Sequence, residues 1–244
     1  MNASPTPASE PASERSRVAL VTGASGGIGG AIVRDLAHTH RVVAVGRDAD
    51  ALAALSAETG AETRIVELTD PNAIEVLAAE FDRLDVLVHA AAIADVRSVE
   101  DATPDDWDKQ LRINVVSPAL LTRATLPLIR EAQGTVIFIG SGSGTRPTAG
   151  SAIYTASKFA LRAVADVLRL DEERHRVRVV TVAPGPTDTA MQRTMVADAG
   201  GTYVPERYIR PESVAREVRH VVDAPADVQI TDVAVRPRVE VRRG

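Results

Sequence analysis

A short apolar run ending in glycine and passing at once into a helical pattern opens the interpretable part of this chain, and the same alternation repeats to its end. "RVALVTG" (17–23) is β-branched and nearly continuous in hydrophobicity, and "GGIGGAIVRDLAHTH" continues it as a Gly-rich turn and an amphipathic helix. The strand "RVVAVG" (41–46) precedes the helix "DADALAALSAET", the strand "RIVELTD" (64–70) precedes the helix "NAIEVLAAEFDRL", and a fourth strand reads "DVLVHAA". A long helical stretch from Pro104 to Arg130 carries an internal Pro118. Beyond it lie the strand "GTVIFIG" (134–140), the helix "SAIYTASKFALRAVADVLRLDEER", the strand "RVRVVTVAPG", the proline-started helix "PESVAREVRHVVD" and a last strand "VQITDVAVRP". Strands without polar alternation are covered on both faces, and intervening helices supply the crossovers that parallel strands need. The expected fold is therefore α/β: a single doubly wound parallel sheet of about seven strands with helices on both faces, spanning 17–244.

Charge and composition remove several function classes. The formal charge of −5 gives no basic surface for nucleic acid or an anionic membrane. The longest apolar run, "VLVHAAAIA", is about half the roughly 20 residues of a membrane span. No cysteine is present, which excludes disulfides and thiolate metal sites and favours a cytoplasmic setting. No His, Asp or Glu group has metal-ligand spacing, so no metal is expected. The N-terminal "MNASPTPASEPASERS" (1–16) lacks the apolar core of a signal peptide and reads as a disordered tail. The segment 187–210 is poorly periodic and holds Gly200, Gly201 and Pro205; a mobile lid and a plain surface loop both fit it.

"TGASGGIG" (22–29) stands between the first strand and helix, where a doubly wound sheet binds a dinucleotide. Gly23, Gly27 and Gly29 give a G-x-x-x-G-x-G pattern, with Gly26 extra. Bare backbone permits a tight turn and close approach to a pyrophosphate, and the helix N-terminus supplies N–H groups with partial positive charge. Ser25 can add a hydroxyl contact. At the end of the second strand, where an acidic residue would hold an NAD ribose, the chain has Gly46 and Arg47. Arginine pairs with a 2′-phosphate, which favours NADP over NAD; a solvated strand-end charge is the plainer reading of Arg47. Asp48 reads as the N-cap of the next helix.

Only two lysines occur, Lys109 and Lys158, in a chain that otherwise uses arginine. Lys158 follows Tyr154 by four residues in "YTASK", so the two share a helix face. A free tyrosine has a pKa of about 10. A cation about 4 Å away favours its phenolate by a few kcal/mol at an effective dielectric of ~20, less the cost of desolvation. Lysine is a compact charge with three donors, able to grip ribose hydroxyls as well. Ser141, at the carboxyl end of "TVIFIG", can donate to the same substrate oxygen; Ser143 is the competing choice.

Together, "TGASGGIG", Ser141 thirteen residues before "YTASK", and "APGPTDT" (183–189) resemble the short-chain dehydrogenase/reductase family over Arg17 to about Pro237. The resemblance implies a Rossmann-like fold with Tyr154 as general acid/base. It makes Lys158 the residue that lowers the tyrosine's pKa and binds the nicotinamide ribose, and Ser141 the one that orients the carbonyl or hydroxyl. It makes Asn114, in "RINVVS", the holder of a water in the proton relay. It places Gly23, Ser25, Gly26, Gly27, Ile28 and Gly29 on the cofactor phosphates, Glu67 and Leu68 at adenine, and Ala90 beside the cofactor. Pro184 and Gly185 then fall at the nicotinamide, and Thr187 and Thr189 on its carboxamide side. An aspartate is usual at Glu67. One motif departs from the family: where Asn-Asn-Ala-Gly follows the fourth strand, this chain has His89-Ala90-Ala91-Ala92, without the asparagines that pin that turn. His89 is read as a locally satisfied histidine rather than a catalytic one.

The expected function is an NADP-dependent oxidoreductase that interconverts a small-molecule ketone or aldehyde with an alcohol. The alternatives are a non-catalytic cofactor-binding regulator and a family member catalysing epimerisation or dehydration. Candidate substrate-pocket residues are Gly142, Ser143, Arg146, Thr148, Ile153, Pro186 and Met191; Arg146 suits either an anionic substrate or solvent. The resemblance implies a homodimer or homotetramer, with the helices around 104–130 and 151–173 at the interface.

Overall fold

The computed structural model describes residues 17–239; the tail expected to be disordered lies outside them. β1 (Val18–Thr22), β2 (Arg41–Gly46), β3 (Glu62–Ile65), β4 (Val86–His89), β5 (Thr135–Ile139), β6 (Arg178–Pro184) and β7 (Asp232–Val235) form one sheet in the order β3-β2-β1-β4-β5-β6-β7. Every pairing is parallel. The order reverses at β1, whose neighbours are β2 and β4, so a crevice opens above the carboxyl ends of β1 and β4.

The continuous hydrophobicity of the strands has a direct cause. Successive side chains point to opposite faces, and both faces are covered. On one side, Ala19 and Val21 of β1 pack with Ile32, Val33 and Leu36 of α1 (Gly27–Leu36) and with Val214, Val218 and Val221 of the C-terminal helix at Pro211–Val222. On the other, Val18 and Leu20 pack with Leu77 of the helix Pro71–Ala78, Leu121 and Ile129 of the helix Ser117–Ala132, and Leu161 of the helix Ala152–Glu172. Each fully buried Leu or Ile contributes ~1.5–3 kcal/mol over an exposed one.

In chain order the remaining helices are α2 (Ala49–Thr59), α3 (Pro71–Ala78), α4 (Pro104–Leu111), α5 (Ser117–Ala132), α6 (Ala152–Glu172), α7 (Ala190–Asp198) and α8 (Pro211–Val222). Asp48 caps α2, accepting from Ala51 N at 3.0 Å. The stretch expected to be helical from Pro104 to Arg130 is helical throughout, passing from α4 into α5 through a π-helical segment, Arg112–Val116, and Pro118 sits just past that segment. A capping box of Thr103 and Asp106 starts α4.

Three elements differ from expectation. β3 ends at Ile65 rather than reaching Asp70, because the Glu67 carboxylate accepts from the Thr69 amide at 3.0 Å and hydroxyl at 2.7 Å and turns the chain toward α3. The segment 187–210 is neither bare loop nor structureless: it holds α7, capped by the Thr189 hydroxyl accepting from Gln192 N, and a short 3₁₀ turn at Pro205–Arg207. The last strand is confined to Asp232–Val235.

Candidate active site

The turn from β1 into α1 is built for close backbone approach. Gly23 has φ +67°, and a Cβ on it would stand 2.6 Å from Ala91 N. A Cβ on Gly29 would collide with the Gly23 carbonyl oxygen, and one on Gly27 would stand 2.8 Å from Thr189 Cγ2. Gly26 caps α1 without a side chain, and the first turn of α1 carries no acidic residue. The helix N-terminus therefore presents N–H groups and a positive dipole end to the crevice, with no carboxylate of its own to repel a phosphate.

That crevice is one cleft of about 990 Å³, at the upper end of the volumes typical of ligand sites. Gly23, Ser25, Gly26, Gly27, Ile28 and Gly29 line its floor. Arg47, Glu67 and Leu68 line one end. Ala90, Ser141, Tyr154, Lys158, Pro184, Gly185, Thr187 and Thr189 also face it. The glycine cradle, the helix N-terminus and a cleft of this size fit a dinucleotide. Of the candidate pocket residues, Gly142, Ser143, Arg146, Thr148, Pro186 and Met191 line the cleft, whereas Ile153 is fully buried in the first turn of α6 and does not.

Tyr154 and Lys158 lie in the first two turns of α6. The lysine is 4% exposed, its Nζ donates to the Ile139 carbonyl at 3.1 Å, and that Nζ stands 5.8 Å from the centroid of the Tyr154 ring. Burial pulls the Lys158 pKa down from 10.5 to about 8. Ser141 follows β5 and caps the 3₁₀ turn Gly142–Gly144, its Oγ accepting from Ser143 N at 3.1 Å. A hydroxyl oxygen that accepts in this way keeps its own hydrogen to donate into the cleft.

The departure after β4 has a structural answer. His89 is buried, its Nε2 lies 2.8 Å from Thr122 Oγ1, and its ring stacks on Phe138 at 4.9 Å. Its partner is thus a threonine side chain rather than local backbone. Burial pulls its pKa to about 3, so the ring is neutral. The turn that follows is pinned from elsewhere. Ala90 N and Ala91 N donate to Thr22 Oγ1 at 3.2 and 3.3 Å. Asn114 pairs with the Ile93 backbone on both sides, Oδ1 accepting from Ile93 N and Nδ2 donating to Ile93 O, each at 2.9 Å. Gln110, fully buried on α4, donates to the same Ile93 carbonyl at 2.9 Å and accepts from Asp95 N at 3.2 Å. Asn114 also donates to Ser157 Oγ at 3.0 Å, and Ser157 donates to the Tyr154 carbonyl at 2.8 Å. Asn114 itself does not line the cleft; it ties the wall of the cleft to the helix that carries the tyrosine.

Two residues escaped the sequence reading. Gln110 is one, and only its burial on an otherwise polar helix identifies it. Arg236 is the other: it follows β7 and reaches the cleft beside Gly142 and Gly185, a proximity set by strand pairing rather than by any local motif.

A glycine-cradled helix N-terminus at the switch point of a parallel sheet, opening onto a Tyr–Lys pair, defines a dinucleotide-binding α/β enzyme. The chain belongs to the short chain dehydrogenase family, whose model matches residues 17–200. An uncharacterized short-chain type dehydrogenase/reductase of Sinorhizobium fredii is 35% identical over 94% of this chain and 95% of its own length. The NADP-dependent 3-hydroxy acid dehydrogenase of Salmonella typhi is 34% identical over 90% of this chain and 94% of its own. A metagenomic short-chain oxidoreductase solved in complex with NADP superposes with a TM-score of 0.79 at 33% identity, covering 92% of this chain and 98% of that one. The protein is thus an oxidoreductase of this family with NADP-dependent relatives. Among the described residues no helix is long and apolar enough to cross a membrane.

Proposed function

We propose that this protein interconverts a ketone or aldehyde and its alcohol, using NADP(H). The observation that carries the reading is that Ser141, Tyr154 and Lys158 open onto the same cleft as the glycine turn and Arg47. When bound, the cofactor supplies or accepts the hydride at its nicotinamide. Gly26, Gly27, Ile28 and Gly29 hold the pyrophosphate at the start of α1, with Ser25 beside it. Arg47 pairs with the 2′-phosphate, while Glu67, Leu68 and Ala90 border the adenosine half. Pro184, Gly185, Thr187 and Thr189 border the nicotinamide.

Tyr154 gives a proton to the substrate oxygen in reduction and takes it back in oxidation. Ser141 donates a hydrogen bond to that same oxygen and fixes its place. Lys158 keeps a compact positive charge near the phenol and grips the ribose. The Asn114 side chain is committed to Ile93 and Ser157, so its part in the proton relay falls to its main-chain carbonyl, in a π-helical segment where the regular helical ladder is interrupted. The same reading makes the protein a homodimer or homotetramer. Val116, on the π segment, and Phe159, Val167 and Leu170, on α6, leave apolar surface exposed for that contact.

The test is steady-state oxidation of NADPH and of NADH against a panel of ketones and aldehydes, with product analysis. Carbonyl-dependent formation of alcohol with NADPH supports the reading; cofactor binding without turnover of any carbonyl overturns it.

A further inference from the structure

One buried hydroxyl joins the two sides of the cleft. Ser157 lies on α6 between Tyr154 and Lys158 and is fully buried. Its Oγ donates to the Tyr154 carbonyl at 2.8 Å and accepts from Asn114 Nδ2 at 3.0 Å, with Gln110 Nε2 a longer donor at 3.5 Å. A serine hydroxyl has one donor and two acceptor sites, so all of them are used. The two amides come from different elements, Gln110 from α4 and Asn114 from the π-helical segment, and both also donate to the Ile93 carbonyl at 2.9 Å. Ile93 lines the cleft, as Tyr154 and Lys158 do. The backbone of the wall and the backbone of the tyrosine are thus tied together through a single oxygen atom.

The bond to Tyr154 bears directly on the Tyr–Lys pair. In a regular helix the Tyr154 carbonyl also accepts from the Lys158 amide, and a serine that bonds back onto the preceding turn competes for that carbonyl and bends the helix. Lys158 is anchored separately, its Nζ donating to the Ile139 carbonyl of β5 at 3.1 Å, 5.8 Å from the centroid of the Tyr154 ring. A shift of the first turn of α6 therefore moves the phenol relative to an ammonium that stays in place. The other charged residues lining this end of the cleft are Arg146, on the turn after Ser141, Arg236, after β7, and the ion pair of Arg162 with Asp232 at 3.1 Å. None of them lies on the turn that Ser157 holds.

We propose that Ser157 is a positioning residue for proton transfer: gripped by Asn114 and Gln110, it fixes the first turn of α6 against the Ile93 wall and so sets the distance between the Tyr154 phenol and the Lys158 ammonium. This rests on the reading of Tyr154 as the proton donor. Ser157 does not line the cleft, so it acts through Tyr154 rather than on substrate or cofactor. Misplacing a reacting group by about 1 Å costs up to ~10²-fold in rate, which is the scale of effect open to such a residue. The native spacing is the one that favours the ionised phenol, and a phenol that drifts from the ammonium ionises at higher pH.

Two titrations and a control variant test the assignment. The pH dependence of kcat and KM is measured with NADPH and a carbonyl that the ketone and aldehyde panel shows to be reduced. Ionisation of Tyr154 is followed without substrate, by near-ultraviolet difference absorbance against Tyr154→Phe, and NADPH affinity by fluorescence titration. Ser157→Ala should lower kcat by roughly tenfold to a hundredfold with KM and NADPH affinity within a few fold, and should move both the basic limb of the rate profile and the Tyr154 ionisation to higher pH. Ser157→Cys, nearly the same in shape but a weaker hydrogen-bonding group, serves where alanine does not fold and should shift both in the same direction. Thr125→Val removes a fully buried hydroxyl that bonds back to the Leu121 carbonyl at 2.8 Å on α5, away from the cleft, and should lower stability while leaving kcat and both titrations alone. Wild-type kcat and Tyr154 ionisation in the Ser157 variants, or a loss of kcat with neither titration moved, overturns the assignment. An equal loss of kcat in Thr125→Val also overturns it, by tracing the effect to stability. If the wild type reduces no carbonyl, the reading on which the proposal rests fails, and the substrate-free titration of Tyr154 still decides whether Ser157 holds the pair.

Discussion

Ser25 stands where a side chain on Gly46 would have to be: a Cβ built on Gly46 falls 2.8 Å from Ser25 Oγ and 3.3 Å from Ser25 N. The end of β2 and the glycine turn are therefore matched to each other, and the position where an acidic residue would hold an NAD ribose is closed by its own neighbour. Asp48 offers no substitute, since its carboxylate caps α2. The ion pair of Arg47 with Glu67 is long and exposed, contributes little, and leaves the guanidinium free to turn to a phosphate. Arg47→Ala should weaken NADPH relative to NADH by roughly tenfold to a hundredfold. Gly46→Asp with Arg47→Ala should favour NADH only when Ser25→Gly makes room; without it both cofactors should bind poorly. Titration of each cofactor at fixed ionic strength checks this, and an unchanged preference in Arg47→Ala would remove the arginine from phosphate recognition.

Gln110 is expected to do the pinning that the altered turn after β4 no longer does for itself. Gln110→Val keeps an apolar volume in the helix but strips a donor from Ile93 O and an acceptor from Asp95 N. Ile93 O keeps the Asn114 donor, so the group left unpaired is the partly buried Asp95 N–H, at a cost of about 1 kcal/mol. Denaturant unfolding should show a loss of that size, with a several-fold weaker NADPH affinity because Ala90 and Ala91 line the cleft. Stability and affinity both at wild-type levels would mean that Asn114 and Thr22 suffice.

Lys158 makes the fold pH-dependent in a defined window. Its pKa is about 8 in the folded protein and 10.5 when unperturbed, so between those values the unfolded chain binds more protons. Stability from this group therefore rises as pH increases from about 8 toward 10.5, and is lowest, with the charge buried, below 8. Lys158→Met removes the buried charge. Its stability advantage over the wild type should be largest at neutral pH and shrink through that window, while turnover is lost throughout. An advantage that does not change with pH would show that the lysine titrates near its ordinary value. Lys158→Arg keeps the charge but forces a larger, planar group into a 4% exposed site, and should lose both stability and kcat.

The central strands β1, β2, β4, β5 and β6 were legible in the sequence because they are buried on both faces and stay apolar, whereas the edge strands β3 and β7 are only partly buried and carry polar residues. The glycine turn and the Tyr154–Lys158 pair were legible because their geometry is local, set by one turn and one helical repeat. What escaped depends on tertiary structure. α7 buries none of its residues fully, so no apolar stripe announces it, and only the Thr189 cap marks its start. Ile153 shares the first turn of α6 with Tyr154, yet turns into the protein while the tyrosine faces the cleft. Gln110 looks like a surface polar residue until the backbone of Ile93 is placed against it. Arg236 lies 95 residues from Ser141 in sequence, and only the β6–β7 register brings it alongside.

The central claim is that Tyr154 transfers the proton in a hydride-transfer reaction. Tyr154→Phe keeps the ring on α6 and removes only the hydroxyl. The decisive measurement is kcat for carbonyl reduction in this variant, alongside NADPH affinity. General acid–base catalysis is worth ~10²–10⁴ in rate, so kcat should fall by at least about a hundredfold while NADPH binds within a few fold of wild type. A variant that binds NADPH normally and retains near wild-type kcat would contradict the account.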